Sequence, residues 1–283
     1  MTLFLVICAL FPAIALCAYV FKKDRVEKEP LGLLLLLLAS GALSCFPAIV
    51  LEIFLGDINT SLFSAVAPTA PNGTLYLNET QFYLYQFIEA FFVVALSEEF
   101  VKWLFLKRIT FENKNFNCLF DGLIYAVFVS LGFAALENVM YVLQYGFQTA
   151  VSRAIMSVPG HMFFAVMMGY HYSKWHILKD AKEIEKHLKE TGKISPDARE
   201  ISYKKNMIFS LLLPVATHGF YDFCLFTENT FAFFVVIAFM IFMYIFCFAR
   251  IKNFSKSDAP EYNYVAKILL RKYPFLTIED IFN

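Results

Sequence analysis

The sequence predicts an all-α, polytopic membrane helix bundle with about seven transmembrane helices. Three observations carry that prediction. Hydrophobic residues make up 59% of the chain and charged residues 17%, against about half and about a quarter in a soluble domain. Mean hydropathy is +0.59. The apolar residues fall in runs of roughly 20, the length that crosses a hydrocarbon core, and Lys- and Arg-rich connections separate several of them. The formal net charge is zero, so no global field draws nucleic acid.

Seven segments qualify as spans: Thr2–Phe21, Leu31–Leu55, Phe82–Leu106, Cys118–Leu143, Arg153–Tyr172, Met207–Phe226 and Phe231–Ala249. The first lacks a basic n-region and a small-x-small cleavage site, so it reads as an uncleaved span. The fifth and sixth are the weakest, because Pro159 and Pro214 interrupt them. A proline in a membrane helix frees a backbone carbonyl that a neighbour or water must satisfy.

Basic residues set the orientation. Lys22, Lys23, Arg25 and Lys28 follow the first span, and Lys107, Arg108 and Lys114 follow the third. The connection from Lys174 to Lys205 is rich in Lys, and the tail carries Arg250, Lys252, Lys256, Lys267, Arg271 and Lys272. The connection from Gly56 to Gln81 has no Lys or Arg. The positive-inside rule therefore predicts an outer N-terminus and a cytoplasmic C-terminus. The chain divides into a transmembrane helical domain at 1–250 with its motif-bearing core at 82–226, a cytoplasmic connection at 173–206 and a cytoplasmic tail at 251–283. No internal repeat is visible, which disfavours an inverted-repeat transporter.

The connections carry weaker signals. Asn72-Gly73-Thr74 and Asn78-Glu79-Thr80 are glycosylation tripeptides on the outer loop, which a bacterial chain would ignore. Ile177, Ala181, Ile184 and Leu188 form a helical stripe that Gly192, Ser195 and Pro196 end. The stretch Tyr264–Leu270 reads as a membrane-surface helix, a packed helix or a disordered tail. The six cysteines form no C-x-x-C pair and read as small apolar packers.

Strong acids and bases interrupt the apolar runs. A charge at membrane depth costs about 2.5–3.5 kcal/mol even on the mildest scale. The third span holds Glu98-Glu99-x-x-Lys102, the fourth Glu137-Asn138, the fifth His161 after Pro159-Gly160, and the sixth His218-x-x-x-Asp222. Glu98 and Lys102 share a face at i, i+4. The bland reading is a self-neutralising pair at a helix contact, which leaves Glu99 unexplained. Two adjacent carboxylates in a low-dielectric site hold protons tightly, so one can act as a base. Glu137 needs a partner from another helix. Asp222, one turn from His218, can orient the imidazole and raise its basicity; the bland alternative is an interhelical clasp. Arg153 reads as an outer-edge residue that snorkels to headgroups. Counted from the span edges, Glu98, His161 and His218 lie roughly 12–16 Å deep. Glu137 lies only roughly 9 Å below the outer face and fits least well.

These groups suit hydrolysis. Glu can take a proton from water, while His and carboxylate either bind a divalent metal or stabilise an oxyanion. His plus carboxylate is the donor set of a catalytic zinc site. H-E-x-x-H, G-x-S-G and G-x-G-D are absent, against zincin, rhomboid-type and presenilin-type proteases.

The motifs Glu98-Glu99-Phe100-Val101-Lys102, Phe133-Ala134-Ala135-Leu136-Glu137-Asn138, Pro159-Gly160-His161 and His218-Gly219-Phe220-Tyr221-Asp222, on successive spans, resemble the PrsW family of intramembrane proteases. That family shares a clan with the type II CAAX prenyl endopeptidases and CPBP proteins. The resemblance implies a membrane peptidase of the bacterial cell membrane. It would cut a single-span anti-sigma factor on its extracytoplasmic side, the opening step of a stress response that frees a sigma factor. It implies Glu98, Glu99 and His218 as catalytic residues, with Lys102, Glu137, Asn138 and Asp222 in support. His161, His218 and Glu137 would hold a metal, zinc by its donor set, and a metal-free glutamate mechanism uses the same side chains. The prenyl endopeptidase relatives carry His at the place of Glu137 and Asn at that of Asp222, so both departures add carboxylate. A CAAX-type or peptide-maturation protease and a proton-coupled transporter are the alternatives.

Overall fold

The computed structural model describes residues 2–282. The helices are α1 (Thr2–Lys23), α2 (Leu31–Ser64), α3 (Glu79–Ile88), a π-helical segment (Glu89–Ala95), α4 (Leu96–Thr110), α5 (Asp121–Tyr145), α6 (Phe147–Ile155), α7 (Ser157–Glu190), α8 (Lys204–Phe226), α9 (Thr230–Lys256), α10 (Glu261–Lys272) and α11 (Ile278–Phe282). No strand forms among the described residues.

Local sequence explains several boundaries. Asn78 caps α3 with its side chain while Gln81 reaches back to the Asn78 N–H, a capping box. Asn229 caps α9 through Phe231 and Ala232. Gly146, at φ 87°, ends α5 and lets the chain turn into α6.

α5 is the centre of the bundle, its first two-thirds almost entirely buried. Small residues let neighbouring backbones approach it closely, the usual currency of helix packing in lipid. A Cβ on Gly41 of α2 would stand 1.9 Å from the Val129 carbonyl oxygen, and one on Gly132 of α5 would stand 2.0 Å from that of Leu38. The outer faces of α2 and α9 expose Leu35, Phe46, Ile53, Phe234, Ile241 and Ile245. In water such a belt would aggregate; in lipid it is solvated.

Six helices are long and apolar enough to cross a membrane. The third expected span is helical from Glu79 to Thr110 but is not among those six, as its charges interrupt the apolar run. The expected break at Pro159 falls instead at Met156, between α6 and α7. Pro159 occupies the first turn of α7, where a missing N–H costs nothing.

The Lys-rich connections gather at one end of the bundle. Asn117 bonds Glu27 at 3.2 Å, and the Phe120 N–H donates to Asp258 at 2.9 Å. The stripe on α7 is helical through Glu190, with Ile177, Ala181 and Leu188 buried. Of the three fates open to the tail, packing is the observed one. Val265, Ala266 and Leu269 of α10 are buried, and Lys272 and Tyr273 reach the buried Glu185 at 2.5 and 2.7 Å.

Candidate active site

The π-helical segment ends three residues before Glu98. Its wider turn, with the Leu96 N–H bonded to the Phe91 carbonyl, shifts the phase of α4 relative to α3. Such insertions concentrate at functional sites. Across from it, Gly219 of α8 allows contact that a side chain would forbid: a Cβ there would lie 2.6 Å from Phe91 Cδ1 and 3.0 Å from Phe91 Cα. This approach brings His218, one residue earlier, against α4.

Glu98, Glu99, Lys102, His161 and His218 are all buried and meet at one point. Lys102 Nζ lies 3.1 Å from Glu98 Oε2, 2.6 Å from Glu99 Oε1 and 3.3 Å from His161 Nδ1. Both carboxylates therefore share one ammonium, and the i, i+3 contact to Glu99 is the shorter. Lys102 has only protons to give, so His161 Nδ1 accepts and Nε2 carries the hydrogen. That hydrogen is donated to Glu137 Oε2 at 2.9 Å. His218 Nδ1 stands 2.9 Å from Glu99 Oε1, and its Nε2 is 3.2 Å from Asp222 Oδ2.

The depth mismatch expected for Glu137 closes through this contact. Arg153 departs from expectation: it does not turn out to headgroups. Its Nη2 is 2.7 Å from Glu137 Oε2, its Nε donates to Asn138 Oδ1 at 3.0 Å, and it lies over the Tyr141 ring. Glu137 and Asn138 give a half-buried guanidinium better partners than lipid can. Asn138 faces away from the cluster and donates to the Ala9 carbonyl of α1 at 2.7 Å.

A cavity of about 670 Å³ opens onto the cluster. Glu98, Glu137, His161, His218 and Asp222 line it, whereas Glu99 lies behind the wall. From there it extends to Gln144, Tyr145 and Ser152, at the α5–α6 end. α5 begins among the Lys-rich connections and ends here, so the cavity reaches the end of the bundle away from those connections.

Glu52 of α2 also lines the cavity and belongs to none of the sequence motifs. The signal was available: it is a lone acid in the apolar run Val50-Leu51-Glu52-Ile53-Phe54, the same anomaly that marked the other motifs.

The donor set suits a divalent cation. One ligand atom each from Glu98, Glu99, His161 and His218 falls within 4.8 Å of the others. Each imidazole has a carboxylate at its far nitrogen, Glu137 for His161 and Asp222 for His218, the arrangement that orients metal-binding histidines. Glu137 is thus outside the four-residue set, behind His161. Five carboxylates (Glu52, Glu98, Glu99, Glu137 and Asp222) face two permanent cations, Lys102 and Arg153. The Lys102 ammonium sits among the acceptors as a stand-in cation.

A bundle of membrane-length helices with acids and imidazoles converging on a cavity has the groups a membrane-embedded hydrolase needs. A family model described as PrsW family intramembrane metalloprotease matches residues 29–249. The chain belongs to the PrsW family and is a multi-pass membrane peptidase. It is 30% identical over 243 residues to Protease PrsW of Oceanobacillus iheyensis, covering 86% of this chain and 92% of that protein. It is 30% identical over 227 residues to Protease PrsW of Geobacillus kaustophilus, covering 79% and 80%. To Protease PrsW of Bacillus subtilis it is 26% identical over 242 residues, covering 86% and 91%. No solved structure matches the chain significantly. Family membership sets aside the transporter reading.

Proposed function

We propose that the protein is an intramembrane endopeptidase of the bacterial cell membrane that cuts a single-span anti-sigma factor on its extracytoplasmic side. The observation that carries this reading is the path of the cavity, from Glu98 and His218 to Gln144 and Tyr145 at the end away from the Lys-rich connections. With those connections in the cytoplasm, a substrate segment enters from outside. A volume of about 670 Å³ is in the range of specific ligand sites and accepts a few residues of extended chain.

Glu98, Glu99 and His218 are the catalytic residues in this reading. Glu98 reaches the cavity and takes the proton of the attacking water. Glu99, behind the wall, fixes Lys102 and His218. Glu98 then passes that proton to the leaving amide nitrogen, and Asp222 at Nε2 orients His218. Glu137 holds His161, and Asn138 with Arg153 holds Glu137. A divalent ion, zinc by its donor set, would be held by His161, His218 and Glu99 and would supply Lewis acidity to the scissile carbonyl.

A metal-free Glu–His mechanism is a second reading, favoured by the Lys102 ammonium among the donors. Reconstitution with a tagged single-span anti-sigma factor tests both. Cleavage is expected in wild type and lost in Glu98→Ala and His218→Ala. Undiminished cleavage in both variants would overturn the site. Loss with a chelator and rescue by Zn²⁺ selects the metal; full activity after verified metal removal selects the metal-free route.

A further inference from the structure

A second cluster of metal-ligating side chains lies far along α7 from the cavity, where α10 packs against it. His176 and Asp180 are one turn apart on α7, and Glu261 begins α10. One ligand atom from each of the three falls within 4.8 Å of the others. His161 and His176 are 15 positions apart on the same continuous helix, a rise of about 22 Å, so this cluster is separate from the active site.

The His176 ring is fixed before any ligand arrives. It stacks on Phe116 with centroids 4.0 Å apart and meets Phe111 edge-on at 5.3 Å. Its Nε2 is 3.0 Å from the Phe111 carbonyl oxygen. A carbonyl can only accept, so Nε2 carries a hydrogen and donates it. In the neutral imidazole, Nδ1 then presents a lone pair. That atom is 2.8 Å from Glu261 Oε1, another acceptor. His176 is 8% exposed, and its Nδ1 has no partner outside this cluster. Two lone pairs at that distance need a positive centre between them, either a proton or a metal ion.

We propose that His176, Asp180 and Glu261 form a binding site for a divalent transition cation that clamps α10 to α7. An imidazole with its far N–H tied to a backbone carbonyl is the usual posture of a metal-ligating histidine. Two carboxylates beside a neutral imidazole give the cluster a charge that a divalent ion neutralises. Lys179, next to Asp180 in the sequence, is engaged by Glu112 at 2.8 Å. Nitrogen with carboxylate oxygen is a donor set for Zn²⁺ or its first-row neighbours rather than for Ca²⁺. Asp180 and Glu261 are both half-buried, which leaves an open side for the ion to enter.

Zn²⁺ is the probe, applied to the full-length protein in detergent by equilibrium dialysis. Glu261→Gln and Asp180→Asn are suitable variants, since the first can donate its amide N–H to the His176 Nδ1 lone pair and both preserve shape. Wild type is expected to hold one more equivalent of Zn²⁺ than either variant, or to bind it at least about 100-fold more tightly, since losing a ligand costs no less than the roughly 10–100-fold for losing a partner that orients one. Tryptic cleavage at Lys267 and Arg271 of α10 is expected to slow with Zn²⁺ in wild type and to be unchanged by Zn²⁺ in the variants. Equal stoichiometry and affinity in all three proteins, with α10 cleavage indifferent to Zn²⁺, would overturn the proposal and leave a protonated His176–Glu261 contact. The readouts do not involve peptidase activity, so they stand or fall separately from the proposed function.

Discussion

Arg153 Nη2 lies 2.7 Å from Glu137 Oε2, the same oxygen that takes the His161 Nε2 hydrogen at 2.9 Å. One carboxylate oxygen thus ties the break between α6 and α7 to an imidazole of the active-site cluster. Asn138 completes the arrangement by accepting from Arg153 Nε while it anchors α1.

Arg153→Gln therefore loosens Glu137 and, through it, His161. Cleavage in a reconstituted assay is expected to fall roughly 10–100-fold, the range for loss of a residue that orients a site histidine. Arg153→Lys should recover part of the rate, because a point charge replaces the bidentate fork imperfectly. Wild-type rates in both variants would show that Glu137 holds His161 unaided.

Lys102 is fully buried between two carboxylates. Lys102→Met leaves both acids without their cation. Removing one partner of a buried ion pair costs about 3–5 kcal/mol, so thermal unfolding in detergent should shift strongly downward. If the cluster takes a divalent ion, added Zn²⁺ should recover more stability in this variant than in wild type. A melting curve like that of wild type would mean that the two carboxylates do not depend on Lys102.

Gly219→Ala drives a methyl group into Phe91 at 2.6 Å. Overpacking of this kind costs about 1–3 kcal/mol and pushes α8 off the π-helical segment, moving His218 with it. Activity should fall more than stability. Phe91→Ala in the same chain should restore much of it, since the blocking ring is gone. Failure of the second substitution to help would point to the Phe91 backbone, 3.0 Å away, as the obstacle.

The Glu29 carboxyl, in the connection between α1 and α2, is pushed up to about 7 from 4.5, chiefly by burial and further by the Asp24 charge. The folded protein keeps a proton there that the unfolded chain releases above about pH 4.5. This contribution is fully present below pH 4.5 and is lost as pH rises through about 7. Glu29→Gln mimics the protonated form and can still accept from Tyr125, which donates to Glu29 at 2.6 Å. The stability advantage of the variant over wild type should therefore grow between pH 5 and 8. Parallel stability curves over that window would refute the assignment.

Much of the architecture was legible along the chain because lipid imposes a one-dimensional rule. A backbone in hydrocarbon must satisfy its own hydrogen bonds, so apolar runs near the membrane thickness become helices wherever they occur. The same rule made Glu98, Glu99, Lys102, Glu137, His161, His218 and Asp222 conspicuous, since lipid tolerates such groups only when they are paired. Glu52 obeys the rule equally but has no neighbouring motif to mark it.

The sequence by itself determined the helical class, the apolar spans and which side chains are out of place in them. Only the tertiary structure decided who meets whom. Lys102 divides itself between two carboxylates, Arg153 turns inward to Glu137, and Glu98 rather than Glu99 reaches the cavity. The physical reason is that helix periodicity fixes a side chain's angle about its own axis and nothing more. The offset and phase between helices come from close contacts such as Gly41 on Val129 and Gly219 on Phe91, and from the π-helical segment ahead of Glu98. Partners 119 positions apart, as Glu99 and His218 are, become neighbours only through that packing.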